Sequence, residues 1–112
     1  MDQYLLQIKS ECMGVGDEAL GKMLTRSFLN NLITQKILPS HIVLYNSGVL
    51  LALDGTDSAN ALKELEKRGV EILMCGTCID YYQLKDKMAL GKVSNMMAIT
   101  SQLIDAAKII TL

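Results

Sequence analysis

Apolar runs and amphipathic stretches alternate along the chain. Tyr4-Leu5-Leu6-Gln7-Ile8 reads as a strand, broken by Lys9-Ser10-Glu11 and followed by the loop Gly14-Val15-Gly16. From Asp17 onward apolar residues recur at Leu20, Met23, Leu24, Phe28, Leu32 and Ile33, close to a period of 3.6. With acids at Asp17 and Glu18 to favour its N-terminus, this predicts a helix from Asp17 to Gln35. Pro39 closes the connection, and Ile42-Val43-Leu44-Tyr45 reads as a strand apolar on both faces, ending in the turn Asn46-Ser47-Gly48. Val49 to Leu53 has no decisive period and is read as a buried helical turn. Asp57-Ser58 is placed to cap a helix with Leu62 and Leu65 facing inward, and Gly69 stops it.

The third strand is Val70 to Met74, and Cys75-Gly76-Thr77-Cys78 follows it. A short helical stretch then runs to about Asp86, Val93-Ser94-Asn95 is extended, and Ser94 or Asn95 caps a last helix from Met96 to Ala106. Lys108 to Leu112 is the final strand. Strands alternating with helices predict an α/β fold: one domain over residues 1–112, a three-layer sandwich with a mostly parallel sheet covered by helices on both faces. Right-handed crossovers are expected. Ligands and reactive groups collect beyond the carboxyl ends of such strands, which here means Glu11 to Gly16, Asn46 to Gly48 and Cys75 to Cys78.

Composition narrows the functional classes. Net charge is −1 and the eleven basic residues are scattered, so neither nucleic acid nor an anionic membrane is an expected partner. Apolar runs such as Ile42–Tyr45 and Ile72–Cys75 fall far short of the ~20 residues of a membrane span. The opening MDQYLLQIKSE has acids and no basic segment of the signal-peptide kind, so a cytoplasmic location is expected. A mean hydropathy of +0.25 with one Phe, no Trp and seven Met implies aliphatic surface to spare, and so a homo-oligomer.

Three cysteines are too few for a disulfide framework, which turns attention to their chemistry. Cys75 falls at a strand end and Cys78 at the start of the next helix, where unpaired N–H groups lower a thiol pKa. The Cys-x-x-Cys spacing lets one sulfur resolve a disulfide or persulfide formed on the other, and Gly76 permits unusual backbone geometry between them. The competing reading of Cys75 is a small buried apolar residue. No metal is expected: one such pair supplies two of four zinc ligands, Cys12 lies in another loop and His41 at the opposite edge. Gly14, Gly16 and Asp17 lie between strand and helix as in a phosphate-binding turn, but no phosphate motif is completed. Cys12 is also expected at the carboxyl end of a strand, the same edge as the Cys75 loop, at a distance that sequence does not show.

Several segments together resemble one family. Met13 to Glu18 leading to Leu20-Gly21, the turn Asn46-Ser47-Gly48-Val49, Gly69 to Leu73 before Cys75-Gly76-Thr77-Cys78, Tyr81-Tyr82, Leu84-Lys85-Asp86 and Gly91 to Met96 are similar to the DsrE/DsrF-like family, and within it to the C-terminal domain of YedF proteins. The resemblance covers nearly the whole chain. It implies a DsrE/F-like fold, oligomerisation, and sulfur relay through cysteine persulfide, with a selenium role proposed for the YedF branch. In the TusD-like branch the active cysteine stands where Cys75 does, whereas Cys78 is a feature of the YedF-like branch. YedF proteins usually carry a TusA-like domain ahead of this one, so donor and acceptor proteins are expected to be separate chains.

The resulting expectation is a sulfur or selenium carrier with Cys75 and Cys78 as catalytic residues and Gly14, Gly16, Asn46, Gly48, Gly76 and Thr77 as binding residues, needing no cofactor. The rivals are a non-catalytic binding or assembly module, and a small-molecule binder at the Gly14 and Asn46 loops.

Overall fold

The computed structural model describes residues 4–112. Its elements run β1 (Leu5–Ile8), α1 (Glu18–Leu32), β2 (His41–Leu44), a 3-10 helical segment (Asn46–Ala52), α2 (Asp57–Lys67), β3 (Glu71–Cys75), α3 (Gly76–Tyr81), β4 (Lys92–Ser94), α4 (Met96–Asp105) and β5 (Ile109–Thr111). The strands form one sheet in the order β4-β3-β2-β1-β5, and each of the four strand pairings is parallel.

Strands in such a sheet are buried on both faces, which is why they read as unbroken apolar runs. Leu6, Ile8, Ile42, Leu44, Ile72 and Met74 project to one side, where they pack with Leu29 and Leu32 of α1 and Leu62 and Leu65 of α2. Their neighbours Leu5, Val43, Leu73 and Cys75 project to the other, against Ile99 and Leu103 of α4. The chain steps from β1 through β2 to β3 with helices on the first side, then returns across the whole sheet from β4 to β5 with α4 on the second. Reversing direction at constant crossover hand requires that change of side. The core thus consists of two unequal layers, the thinner one under α4.

Element ends depart from the sequence reading for local reasons. Asp17 is the cap of α1 and not its first residue; its carboxylate accepts the Leu20 N–H at 2.8 Å. The helix ends at Leu32, and Thr34 and Gln35 continue in tight turns. Thr56, not Asp57 or Ser58, caps α2, while the Ser58 hydroxyl is buried and donates to the Leu51 carbonyl at 2.7 Å. The helix after the cysteines stops at Tyr81, well before Asp86, and both Gln83 (φ 57°) and Asp86 (φ 67°) adopt left-handed backbone that no helix continues through. Asn95 caps α4, accepting the Ala98 N–H at 2.8 Å.

The largest difference concerns α1. Of the periodic apolar set only Leu32 is buried; Phe28 and Ile33 pack partly on the core, and Leu20, Met23 and Leu24 face outward. Gly21, Thr25 and Leu29 take the inner face instead. Thr25 satisfies its buried hydroxyl on the Gly21 carbonyl at 3.1 Å. That Gly21 carbonyl also receives the Met13 N–H at 3.0 Å, tying the loop after β1 down onto the helix.

Val49 to Ala52 is helical, as read, with Val49, Leu51 and Ala52 buried, but Leu53 is extended and the helix begins at Asn46, absorbing the turn before it. Gly48 sits where the segment passes over the end of β1: its N–H donates to Tyr45 O at 3.0 Å, and a side chain there would overlap the Ile8 carbonyl oxygen. Gly48→Ala is expected to lower stability by roughly 1–3 kcal/mol through this backbone overlap. Urea unfolding measures it; an unchanged midpoint would show that the segment shifts freely.

Candidate functional site

The carboxyl edge of the sheet brings the three candidate loops to one end of the molecule, but it does not merge them into one site. Cys75 is the last residue of β3, paired in register with Ser94 of β4, and stands immediately before α3. Here β3 leads into α3 while β4 leads into α4 on the second side of the sheet, the kind of divergence at which open α/β sheets form crevices. Gly76 makes the approach possible: a side chain there would come within 3.0 Å of the Ser94 carbonyl oxygen and 3.3 Å of a Val93 methyl.

Cys75 is 2% exposed and packs in the α4-side core. Burial is the largest influence on its thiol and opposes ionisation. The N–H and thiol of Cys78 and the N–H and hydroxyl of Thr77 together outweigh it, holding the Cys75 thiol below its ordinary value. For Cys78 the balance is reversed. Burial raises its pKa, the Asn46 N–H lowers it, and the hydrogen bond to Cys75 and the negative charge developing there raise it again, leaving it above the ordinary value. The pair is therefore asymmetric, with Cys75 favoured as thiolate and Cys78 as the thiol that donates to it.

Asn46 reaches this pair through its backbone. Its φ of 53° is left-handed, a region Asn tolerates better than most residues, and its N–H points at Cys78 Sγ across 3.1 Å. Its side-chain oxygen accepts the Tyr82 hydroxyl at 3.4 Å. Tyr82 meets Tyr81 edge to face with ring centroids 5.6 Å apart. In front of Cys78 lies an open depression of about 290 Å³ lined by Tyr45, Asn46, Thr77, Tyr81, Tyr82 and Met96. Cys75 lies behind Cys78, outside this lining.

Of the residues singled out from sequence, Cys75, Gly76, Thr77, Cys78 and Asn46 come together here. Gly48 is buried and used in packing, and Gly14 and Gly16 line a separate depression of about 150 Å³ with Val15, Leu20 and Leu24. The two loops proposed for a small-molecule site thus share no cavity. Cys12 turns the other way, its thiol directed at the Glu18 carbonyl at 3.6 Å and its side chain against Gly21. His41 lies at the amino end of β2, 3.3 Å from Glu71. Among the described residues no three His, Cys, Asp or Glu side chains converge to hold a metal ion. A larger depression of about 360 Å³ between Lys22, Arg26 and Thr56 lies apart from the cysteines, and Lys22 is paired with Glu18 at 3.1 Å. Tyr45, Tyr81, Tyr82 and Met96 were not identified as site residues from sequence, because each also reads as ordinary packing.

Comparison with known proteins gives the family and the fold. The model of the DsrE/DsrF-like family matches residues 16–112. The fold is similar to the YchN protein of E. coli, with a TM-score of 0.76 at 15% identity and all of both chains covered. It is also similar to MTH1491 of Methanobacterium thermoautotrophicum, described as a protein of unknown function, with a TM-score of 0.70 at 19% identity over all of both chains. No curated protein matches the sequence. No helix among the described residues is long and apolar enough to cross a membrane. With the family match spanning most of the sequence and the sheet order and sulfur-bearing edge described above, the chain belongs to the DsrE/DsrF-like family.

Proposed function

We propose that this protein carries sulfur or selenium as a persulfide-type adduct on its cysteine pair. The family is associated with sulfur relay. The observation that carries the reading for this chain is the pair itself: Cys75 closes β3, and Cys78 stands in the first turn of α3 with the Asn46 N–H on its sulfur at 3.1 Å. The difference in access supports distinct roles. Cys78 lines the depression and meets the donor; Cys75, behind it, is the thiolate that accepts the Cys78 proton as Cys78 attacks. The higher-pKa sulfur is the stronger nucleophile once deprotonated. A Cys78 thiolate displaces the donor thiolate from its outer sulfur, giving Cys78–S–SH and a free donor thiol with no net redox change. In the return step an acceptor thiolate takes the outer sulfur, and Cys78 leaves as thiolate and recovers its proton.

The Cys-Gly-Thr-Cys loop followed by Tyr81-Tyr82 favours the YedF-like branch, and with it selenium beside sulfur as cargo. A carrier that works through free thiols belongs in the reducing cytoplasm, with separate proteins as donor and acceptor.

The rival reading, an assembly module, draws on the outer face of α1. Leu20, Met23 and Leu24 are exposed there beside a fully exposed Val15, an apolar surface of the kind that oligomers cover. Self-association of identical chains through this face is compatible with the carrier reading, because the face lies on other residues than those lining the sulfur depression.

Exposure to a persulfide donor, followed by intact-mass analysis, is expected to add one sulfur to the native protein and to Cys12→Ser. Cys78→Ser abolishes the adduct, while Cys75→Ser still loads on Cys78, with the rate rising at lower pH than in the native chain because the Cys78 thiol ionises more readily. Loading of Cys78→Ser at the native rate would contradict the assignment, and no loading of the native chain would leave the assembly reading in its place. Met23→Glu is expected to reduce the mass in sedimentation analysis to that of the 12.3 kDa chain without changing loading. An unaltered assembly would exclude the α1 face.

A further inference from the structure

Cys75 and Cys78 stand in a fixed relation at the start of α3. Cys75 is the N-cap and Cys78 the third helical residue, two positions whose side chains face one another at a helix start. Both thiols are free, and both side chains belong to the core under α4. Residues three apart on a helix lie about 5–6 Å apart at Cβ, and a disulfide closes at about 3.5–4.5 Å. Cys75 has extended cap backbone and not helical backbone, so a local adjustment covers the difference.

Access separates the two sulfurs. Cys75 is 2% exposed, so its reaction partner is the neighbouring Cys78 and not an incoming thiol. The outer sulfur of a loaded Cys78 extends into the depression lined by Asn46, Tyr81 and Tyr82, and Cys75 lies behind Cys78, outside that lining. Attacking sulfur, central sulfur and leaving sulfur therefore stand in the back-to-front order of a thiolate displacement. A departing anion emerges beside the Asn46 side-chain amide, the Tyr81 hydroxyl and water. The Thr77 groups that favour the Cys75 thiolate are still in place after loading.

We propose that Cys75 also unloads Cys78: when no acceptor thiol has entered, the pair closes to a disulfide and releases the cargo as hydrosulfide or hydroselenide. This further activity rests on the carrier reading. The Cys75 thiolate attacks the Cys78 sulfur of Cys78–S–SH, the bond from that sulfur to the outer one breaks, and its electron pair leaves with the outer sulfur as HS⁻. The two cysteines are oxidised and the transferred sulfur is reduced, so the step itself needs no other reagent. An external dithiol then reduces the disulfide and restores both thiols.

The test loads the Cys12→Ser chain with glutathione hydropersulfide as a reagent in place of the donor protein, removes the reagent, and follows intact mass and free sulfide without reductant. The mass is expected to fall from one sulfur above the reduced chain to two hydrogens below it, with one sulfide released per chain at a rate independent of chain concentration. A dithiol then restores the reduced mass. With Cys75→Ser or Cys75→Ala added, the adduct on Cys78 should last about tenfold longer or more, and the two variants guard against a polar side chain disturbing the buried position. An adduct equally long-lived with and without Cys75, or sulfide released without a disulfide, would overturn the inference while leaving the carrier reading standing. No adduct and no sulfide from any of these chains would overturn both.

Discussion

A sulfur atom that holds negative charge inside a protein needs hydrogen-bond donors to replace the water it has lost. In a parallel sheet covered on both faces, backbone donors are consumed by the ladder everywhere except where strands end and helices begin. Cys75 stands at such a place, where the Thr77 and Cys78 groups that follow it offset the burial that alone would have made it an inert thiol. The remaining features of the site follow from meeting that requirement. Gly76 brings β4 close, Thr77 adds a hydroxyl, and Cys78 is drawn in as a donor, which raises its own pKa.

Cys78 in turn requires a partner, and the chain supplies it from a different strand. The left-handed Asn46 at the end of β2 directs its N–H at Cys78 only because the following segment winds immediately into a buried 3-10 helix. That helix fits because Gly48 lets it pass over the Ile8 carbonyl at the end of β1. The sulfur pair is thus supported by neighbouring strand ends, and the packing of β1 against the Asn46 segment bears on the geometry at Cys78 although neither touches the reaction.

The fold was legible because its signals are strong and redundant: central strands apolar on both faces, glycine stops, and amphipathic helices between them. The cysteine loop and its place at a strand end were legible for the same reason. What escaped the sequence was side-chain direction. Leu20, Met23 and Leu24 have the period of a core face, yet Gly21 and Thr25 occupy the core because the loop after β1 packs too closely on α1 for larger residues. Asn46 was visible as a turn residue, but its action through the backbone N–H depends on a single left-handed φ. Tyr81, Tyr82 and Met96 come from two elements separated by a loop with its own left-handed turns, and no local pattern shows that they line one depression.

The central claim is that the two thiols polarise one another, and titration of thiolate absorbance in a Cys12→Ser background addresses it directly. The account predicts two ionisations, the first below and the second above the ordinary thiol range near about 8.5. Because the Cys78 thiol lowers Cys75 and Cys75 raises Cys78, Cys78→Ala must move the Cys75 ionisation up and Cys75→Ala must move the Cys78 ionisation down. Two overlapping ionisations at the ordinary value, unmoved by either substitution, would contradict it.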